Sequence, residues 1–186
     1  MEWVELVDHE DRPIGTAEKL DAHRRGLRHR AVSVIVWNER GELLLQRRAA
    51  TKYHSAGLWT NACCGHPRPG EDVAIAAQRR LAEEMGCTCA LAPLFRTHYR
   101  AEVGGGLIED ESVHVFGGRY DGPVRPAASE AQGARWIEPR ELALDLKRRP
   151  DAYTVWFRHY ADRFWDLLAR GPVIQEDGHR WRRPPH

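Results

Sequence analysis

The sequence has almost no excess of charge of either sign. Its 186 residues include 28 lysines and arginines against 27 aspartates and glutamates, which leaves a formal net charge of +1 at pH 7. Proteins that bind nucleic acid in general depend on a surplus of basic charge, because phosphate contacts supply most of the affinity. We therefore expect no nucleic-acid partner.

Long hydrophobic runs and a leader pattern are also lacking. No apolar stretch approaches the length that spans a bilayer, and the N-terminal residues MEWVELVDHEDR are acidic rather than basic and then apolar. We expect a cytoplasmic protein with no membrane partner. Hydrophobic residues nevertheless make up 42% of the chain, which is enough for one domain with a substantial core.

Cysteine is scarce, with four residues at positions 63, 64, 87 and 89. Secreted disulfide frameworks are denser in cysteine, and Cys63 and Cys64 are chain neighbours that can pair only under strain. We expect reduced thiols. A zinc-binding module made of the four cysteines and His66 is an alternative, although the spacings CC and CxC differ from the paired CxxC of common zinc modules.

Hydrophobic patterning predicts a single sandwich domain of the α+β or α/β type. Residues 31–37 and 42–48 predict two strands joined by the turn NERG as a hairpin. Three further strands are predicted for LFRTHYRAEV, ESVHVFGGRY and ARWIEP, and helices for EDVAIAAQRRLAEEMG, EPRELALDL and DAYTVWFRHYADRFWDLLARG. With no repeat and no linker, we predict one domain over residues 1–171 and a flexible tail over 172–186.

The central predicted helix ends with two carboxylates, Glu83 and Glu84. Negative charge at that end opposes the helix dipole and needs an explanation. One explanation is structural, since Arg79 and Arg80 precede the two glutamates by four residues, the spacing of ordinary surface ion pairs.

A longer pattern supports a functional explanation. Five residues separate Gly65 from Glu71, and seven more precede RRLAEEMGC. This spacing resembles the Nudix box, whose helix in Nudix hydrolases holds divalent cations against a diphosphate. The matching positions are Gly65, Glu71, Arg79, Leu81, Glu83, Glu84 and Gly86. Arg80 stands where the box has glutamate, which weakens the case for a diphosphohydrolase but leaves that activity as the alternative.

Histidines and a second acidic pair predict a metal site. His23 and His29 flank RRGLR, and His66 follows the cysteine pair. Glu109 and Glu111 are two positions apart, so on a strand both side chains face the same side. Like charges on one face repel, and a bound cation would explain them. Imidazoles with carboxylates suit Zn²⁺, Mn²⁺ or Mg²⁺, while a solvated acidic turn is the alternative.

Five segments carry a closer resemblance. In order they are DAHRRGLRHRAVSV, LWTNACCGHP, RRLAEEMG, THYRAE and LIEDESVHVF, and together they resemble the type I isopentenyl-diphosphate isomerases, a family with the Nudix fold. The resemblance implies a mixed β-sheet flanked by helices, an α/β/α arrangement. It implies interconversion of isopentenyl and dimethylallyl diphosphates for isoprenoid precursor synthesis, without hydrolysis. We expect a monomer whose partners are small-molecule isoprenoid diphosphates.

The resemblance also implies a role for each matching position. Cys64, immediately before Gly-His-Pro, is implied to be catalytic together with Glu111 and Tyr99, while Cys63 is structural. The implied ligands of one divalent metal, Mn²⁺, Zn²⁺ or Mg²⁺, are His23, His29, His66, Glu109 and Glu111. A diphosphate-bound Mg²⁺ is implied at Glu84 and Cys64. The implied substrate contacts are Lys19, Arg48, Lys52, Arg80 and Trp156.

The chemistry of this reaction suits these residue types. Moving the double bond adds a proton at one carbon and removes one from another, which calls for two proton-transfer groups on opposite faces of the substrate. A thiolate is available near neutral pH only where neighbouring positive charge lowers its pKa, so we expect such charge near Cys64. The indole of Trp156 can stabilise a transient cation, and a closed apolar pocket excludes water.

Overall fold

The structure, a computed structural model, describes residues 2–171, so the predicted tail over 172–186 lies outside the described residues. The strands are β1 (Trp3–Val7), β2 (Pro13–Glu18), β3 (His29–Trp37), β4 (Leu43–Arg48), β5 (Trp59–Thr60), β6 (Cys63–Gly65), β7 (Leu91–Gly104), β8 (Leu107–Arg119) and β9 (Ala131–Ile137). The helices are α1 (Lys19–Arg25), α2 (Val73–Met85), α3 (Pro139–Arg148) and α4 (Val155–Arg170). Within residues 2–171, no helix is long and apolar enough to cross a membrane.

Strand β3 lies at the centre of the mixed sheet. It runs parallel to β8, with His29 opposite Glu111 at one end of the register. It also runs antiparallel to β6, with Ser33 opposite Cys64. Residues 32–34 pair with both neighbours, so β6 and β8 lie along opposite edges of β3. This single strand therefore positions the cysteine segment and the acidic strand relative to each other.

Side chains of β3 alternate between two helical layers, as the period of a strand requires. Val32, Val34 and Val36 pack in a cluster with α2, which contributes Ala76, Ala77, Leu81 and Met85. Ala31, Ile35 and Trp37 face the other side and pack with Leu142 of α3 and with Trp156, Phe157, Tyr160 and Leu168 of α4. The predicted α/β/α arrangement of an α+β domain is thus confirmed.

The predicted hairpin of β3 and β4 is confirmed only at its turn. The two strands pair at Trp37 and Leu43 alone, and β4 continues as the partner of β9 and β5. The edge of β3 that a hairpin partner would need is occupied by β6 over residues 32–34. The two strands therefore separate directly after the turn.

The last helix begins four residues later than the sequence predicts. Residues Pro150–Ala152 form a 3₁₀ turn, and Tyr153 pairs with Trp59 as an isolated bridge. The backbone N–H of Thr154 donates to the Trp59 carbonyl at 3.0 Å, and the Thr154 hydroxyl donates to Thr60 at 3.0 Å. These bonds fasten the start of α4 to β5 and thereby place Trp156.

Candidate active site

A cavity of about 410 Å³ opens beside β3, between the segment that follows β4 and the start of α4. Most of the predicted site residues line it: Lys19, Arg48, Lys52, Cys64, His66, Arg80, Tyr99, Glu109, Glu111 and Trp156. Three predicted residues, His23, His29 and Glu84, are buried and are not part of its lining. The fold brings residues that are far apart in the chain to this one cavity, because both Lys19 of α1 and Trp156 of α4 line it.

Three of the predicted metal ligands surround one carboxylate. His23, His29, His66 and Glu111 each place a ligand atom within 4.8 Å of the others. Nε2 of His66 lies 3.0 Å from Oε1 of Glu111 and 3.2 Å from Nε2 of His29. The predicted convergence of imidazoles and a carboxylate is therefore present.

The orientation of two of these imidazoles fits a metal ion. Nδ1 of His23 lies 2.7 Å from the Lys19 carbonyl, and Nδ1 of His29 lies 2.8 Å from the Leu27 carbonyl. A carbonyl oxygen only accepts hydrogen bonds, so each Nδ1 carries the hydrogen and each Nε2 presents a lone pair. Nε2 of His23 is buried with no hydrogen-bond partner in the described part of the chain. A divalent cation would satisfy these lone pairs.

Tyr99 connects the two acidic residues of β8. Its hydroxyl lies 2.7 Å from Oε2 of Glu109 and 2.7 Å from Oε2 of Glu111. One hydroxyl donates only one hydrogen, so both contacts are hydrogen bonds only when one carboxyl carries a proton. The predicted shared face is confirmed, and the alternative of a solvated acidic turn is wrong because both carboxyls are buried.

The surroundings favour a proton on Glu109 and a charge on Glu111. Burial, followed by the charge of Glu111, raises the pKa of Glu109 well above its usual range. Burial alone would also raise the pKa of Glu111, but the adjacent imidazoles of His29 and His66 outweigh burial and hold that pKa well below the usual range. Tyr99 therefore accepts from Glu109 and donates to Glu111.

Neutral groups hold the thiol of Cys64. Its sulfur lies 3.2 Å from the Ser33 hydroxyl and 3.3 Å from Oδ1 of Asn61. The amide nitrogen of Asn61 donates to the carbonyls of Val34 and Cys63, which fixes Oδ1 as the acceptor facing the sulfur. Tyr160 extends this group, because its hydroxyl lies 2.9 Å from that of Ser33.

The environment of Cys64 raises the pKa of its thiol rather than lowering it. Burial raises the pKa of this thiol to about 12, and the opposing effect of the positive charge of Arg48 does not offset it. The neighbouring Cys63 is fully buried in the cluster that packs against α2. The zinc-module alternative has no support, since neither potential metal-binding group found within residues 2–171 includes a cysteine.

Four basic side chains converge on the cavity, and carboxylates accompany three of them. Lys19 is 2.9 Å from Glu2, and Lys52 forms an ion pair with Glu130. Arg80 lies 3.3 Å from Glu130 as well. Such a group of cations lining one cavity is suited to an anionic ligand with several oxygens.

Arg48 has a different environment from the other three. Its guanidinium donates to the His54 carbonyl at 3.1 Å and lies 5.1 Å from the ring centre of Trp156. Trp156 is buried and also contacts the His54 ring edge to face, with centroids 5.9 Å apart. A cation and an indole are thus held together at the cavity wall.

The helix carboxylates have separate environments. Glu83 is exposed and pairs with Arg79 at 3.2 Å, so the surface-pair interpretation holds there. It is wrong for Glu84, which is buried and lies 2.6 Å from Arg80 and 2.7 Å from the Gln46 amide. A Cβ at Gly65 would lie 2.7 Å from the Arg80 side chain, so glycine allows Arg80 to cross β6 and reach Glu84.

Comparison with known proteins identifies the family. Residues 27–158 match the NUDIX domain. The isopentenyl-diphosphate Delta-isomerase of Burkholderia multivorans is 49% identical over 176 residues, covering 95% of each chain. Isopentenyl-diphosphate Delta-isomerase 1 of Aromatoleum aromaticum is 50% identical over 160 residues, covering 86% of this chain and 90% of that one. This chain belongs to the isopentenyl-diphosphate Delta-isomerases of the NUDIX superfamily.

The fold of this isomerase family member is shared with more distant proteins. A solved structure of a MutT protein from Methanosarcina mazei superposes with a TM-score of 0.59 at 24% identity, covering 75% of this chain and 93% of that one. Identity at this level shows the NUDIX fold alone.

Several cavity residues of the isomerase were not predicted from the sequence. They are Glu2, Ser33, Tyr53, His54, Glu130 and Tyr160. Ser33 had a usable signal, because a polar residue interrupts an otherwise apolar central strand. The others come from loops, the N-terminal segment and α4, and only the folded chain brings them to the cavity.

Proposed function

We propose that this isomerase interconverts isopentenyl and dimethylallyl diphosphates by proton transfers on opposite faces of the bound substrate. The observation that supports this most strongly is the placement of Cys64 and Glu111. They lie on the two strands that flank opposite edges of β3, and both line one cavity. An alkenyl group between them would have one exchangeable proton donor or acceptor on each side.

The four basic side chains that line the cavity suit the diphosphate. Its charge would be neutralised by Lys19, Arg48, Lys52 and Arg80. The diphosphate would replace the carboxylates of Glu2 and Glu130 as the ion-pair partner of Lys19 and Lys52. A diphosphate-bound Mg²⁺ at Glu84 and Cys64 stays a prediction, since Glu84 is already engaged by Arg80 and Gln46. Fixing the diphosphate would hold the five-carbon chain in the part of the cavity that Cys64 and Glu111 line.

The metal centre would hold the carboxylate of Glu111 in place. His23, His29, His66, Glu109 and Glu111 are the residues that would bind a divalent metal. Such an ion supplies positive charge beside Glu111 and favours its ionised form. Tyr99 donates to the same carboxylate at 2.7 Å and fixes its position.

Each direction of the reaction conserves protons. In one direction, the terminal CH₂ carbon gains a proton and becomes a methyl group, and the carbon next to the CH₂ that bears the diphosphate loses one. Cys64 serves one of these carbons and Glu111 with Tyr99 serves the other, and the roles exchange when the reaction runs backwards. The buried indole of Trp156 faces the cavity, where it would attract the transient tertiary cation.

Hydrolysis of the diphosphate is the competing function, and Arg80 argues against it. The Nudix box has glutamate at this position, whereas Arg80 instead neutralises Glu84 at 2.6 Å. Purified protein should convert isopentenyl diphosphate with Mg²⁺ to dimethylallyl diphosphate without releasing phosphate. Phosphate release without the isomer would instead favour a hydrolase. The monomeric state, the cytoplasmic location and the role in isoprenoid precursor synthesis stay predictions.

A further inference from the structure

A fourth imidazole, that of His54, lies beside the metal centre. Its side chain is buried, and its Nε2 lies 3.2 Å from Oε1 of Glu109. The His54 ring also stacks on that of His23, with centroids 5.8 Å apart and planes inclined by 30°. His23, His54 and Glu109 each place a ligand atom within 4.8 Å of the others.

This second group of ligands shares His23 with the group around Glu111. Nδ1 of His23 is committed to the Lys19 carbonyl, which leaves Nε2 as the only nitrogen with a free lone pair. One lone pair binds one ion, so the two groups cannot hold separate ions that both use His23. Tyr99 also links Glu109 to Glu111. The two groups thus lie side by side and share His23, and only one of them can bind an ion through Nε2 of that residue.

We infer that His54 coordinates, through Nε2, the same divalent metal as His23, His29 and His66. This inference rests on the metal centre of the proposed function and adds a ligand to it. The centre then offers four imidazoles and two carboxylates. A nitrogen-rich set of this kind suits transition-metal ions and disfavours Mg²⁺, which takes oxygen ligands.

The surroundings of His54 keep its ring turned toward the centre. Nδ1 lies 3.2 Å from the Ser55 hydroxyl, which leaves Nε2 for Glu109 or a metal. The His54 carbonyl accepts from Arg48, and the ring packs edge to face against Trp156 and Tyr53. The segment after β4 thus provides both Lys52, which lines the cavity, and His54, the inferred metal ligand.

A titration of the metal-stripped protein with Co²⁺ tests the inference without any assay of activity. The dissociation constant is measured by competition with a chelator, and the visible absorption bands report the ligands of the bound Co²⁺. His54→Ala and His54→Gln should each weaken binding at least about tenfold and shift these bands. His98→Ala is the matched control, because the His98 side chain is 42% exposed and pairs with Asp110 away from the cavity. It should leave both readouts unchanged.

A third variant separates this inference from the proposed centre. His23→Ala should lose Co²⁺ binding whether or not His54 is a ligand. Loss in His23→Ala with unchanged affinity and spectrum in His54→Ala would overturn the role of His54 and leave the centre intact. Unchanged binding in both variants would overturn the centre and the inference together.

The glutamine variant separates coordination from a simple hydrogen bond. Glutamine retains an N–H donor for Glu109 but is a poor metal ligand. Wild-type affinity and spectrum in His54→Gln, with weakened binding in His54→Ala, would mean that His54 only holds Glu109 in place, and the inference would be overturned. If His54→Ala does not fold, as judged by circular dichroism, the glutamine variant decides by the same two readouts.

Discussion

The hydroxyl of Tyr99 lies 2.7 Å from one carboxylate oxygen of Glu111. The other oxygen of that carboxylate lies 3.0 Å from Nε2 of His66. Glu111 is thus held at both oxygens, by a phenol on one side and by the imidazole cluster on the other. Such fixing favours rapid proton transfer, because the position of the carboxylate is set before the substrate binds.

Removing the hydroxyl of Tyr99 should slow isomerisation without unfolding the protein. Tyr99→Phe keeps the buried ring but removes a hydrogen bond to a charged carboxylate, which is worth about 1.5–3 kcal/mol. We expect kcat to fall roughly tenfold to a hundredfold. Tyr120→Phe is the control, since the Tyr120 hydroxyl donates to the Pro123 carbonyl at the surface. Equal kcat values in the two variants would remove Tyr99 from the acid–base group.

The two adjacent cysteines should differ sharply in their importance for activity. Cys64→Ser should reduce turnover at least about a hundredfold, as is typical when a positioned proton-transfer group is lost. Cys63→Ser introduces a hydroxyl into an apolar cluster and should reduce stability by about 1–3 kcal/mol, while the folded protein stays active. Turnover and urea unfolding of both variants are the measurements. A similar loss of turnover from both would contradict the assignment of Cys64.

Removal of the divalent metal should stop turnover. The imidazoles of His23 and His29 are oriented by backbone carbonyls toward a common point, and no other described residue satisfies Nε2 of His23. Isomerase activity is measured after chelator treatment and again after readdition of Mn²⁺ or Zn²⁺ together with Mg²⁺. We expect loss followed by recovery. Full activity in protein shown by elemental analysis to be free of metal would rule out the proposed role of the ions.

The metal-free protein should lose stability as the pH falls below about 6.5. Burial lowers the pKa of His66 to about 4, and burial together with Arg48 lowers that of His54 to about 3. Between these values and the ordinary pKa of 6.5, the unfolded chain binds more protons than the folded chain, so acidification favours unfolding. Two such groups should cost roughly 2–4 kcal/mol between pH 6.5 and 5.

Urea unfolding of the metal-free protein at several pH values measures this dependence. His54→Gln should show a shallower fall, because one of the two groups no longer titrates. A free energy of unfolding that stays constant between pH 6.5 and 5 would contradict the burial of neutral imidazoles.

The local sequence pattern was sufficient to predict the strand and the helix that carry most of the site, but not the strands with which they pair. The apolar run of β3 and the helical repeat of α2 are strong signals, and both elements are where the sequence predicts them. The pairing of β3 with β6 and β8 is long-range, so the local hairpin signal gave the wrong extent for its contact with β4.

The N-terminal elements were missed for a physical reason. Strand β2 is largely exposed and has little apolar alternation, and α1 is only seven residues long. Helix α1 is followed by a capping residue, Gly26, in the left-handed conformation, and buried Ala22 and His23 hold the helix in place. Packing rather than propensity stabilises so short a helix. Its contribution of His23 to the site could be foreseen only through the family resemblance, and His54 was not foreseen at all.

The central claim is that Cys64 and Glu111 together carry out the two proton transfers. Isomerisation in D₂O, followed by NMR, tests it most directly, because the added hydron comes from a protein group that exchanges with solvent. Wild-type protein should yield dimethylallyl diphosphate with deuterium in a methyl group. Cys64→Ser and Glu111→Gln, both folded and supplied with the same metals, should yield almost none. Formation of the deuterated isomer by either variant at the wild-type rate would contradict the account.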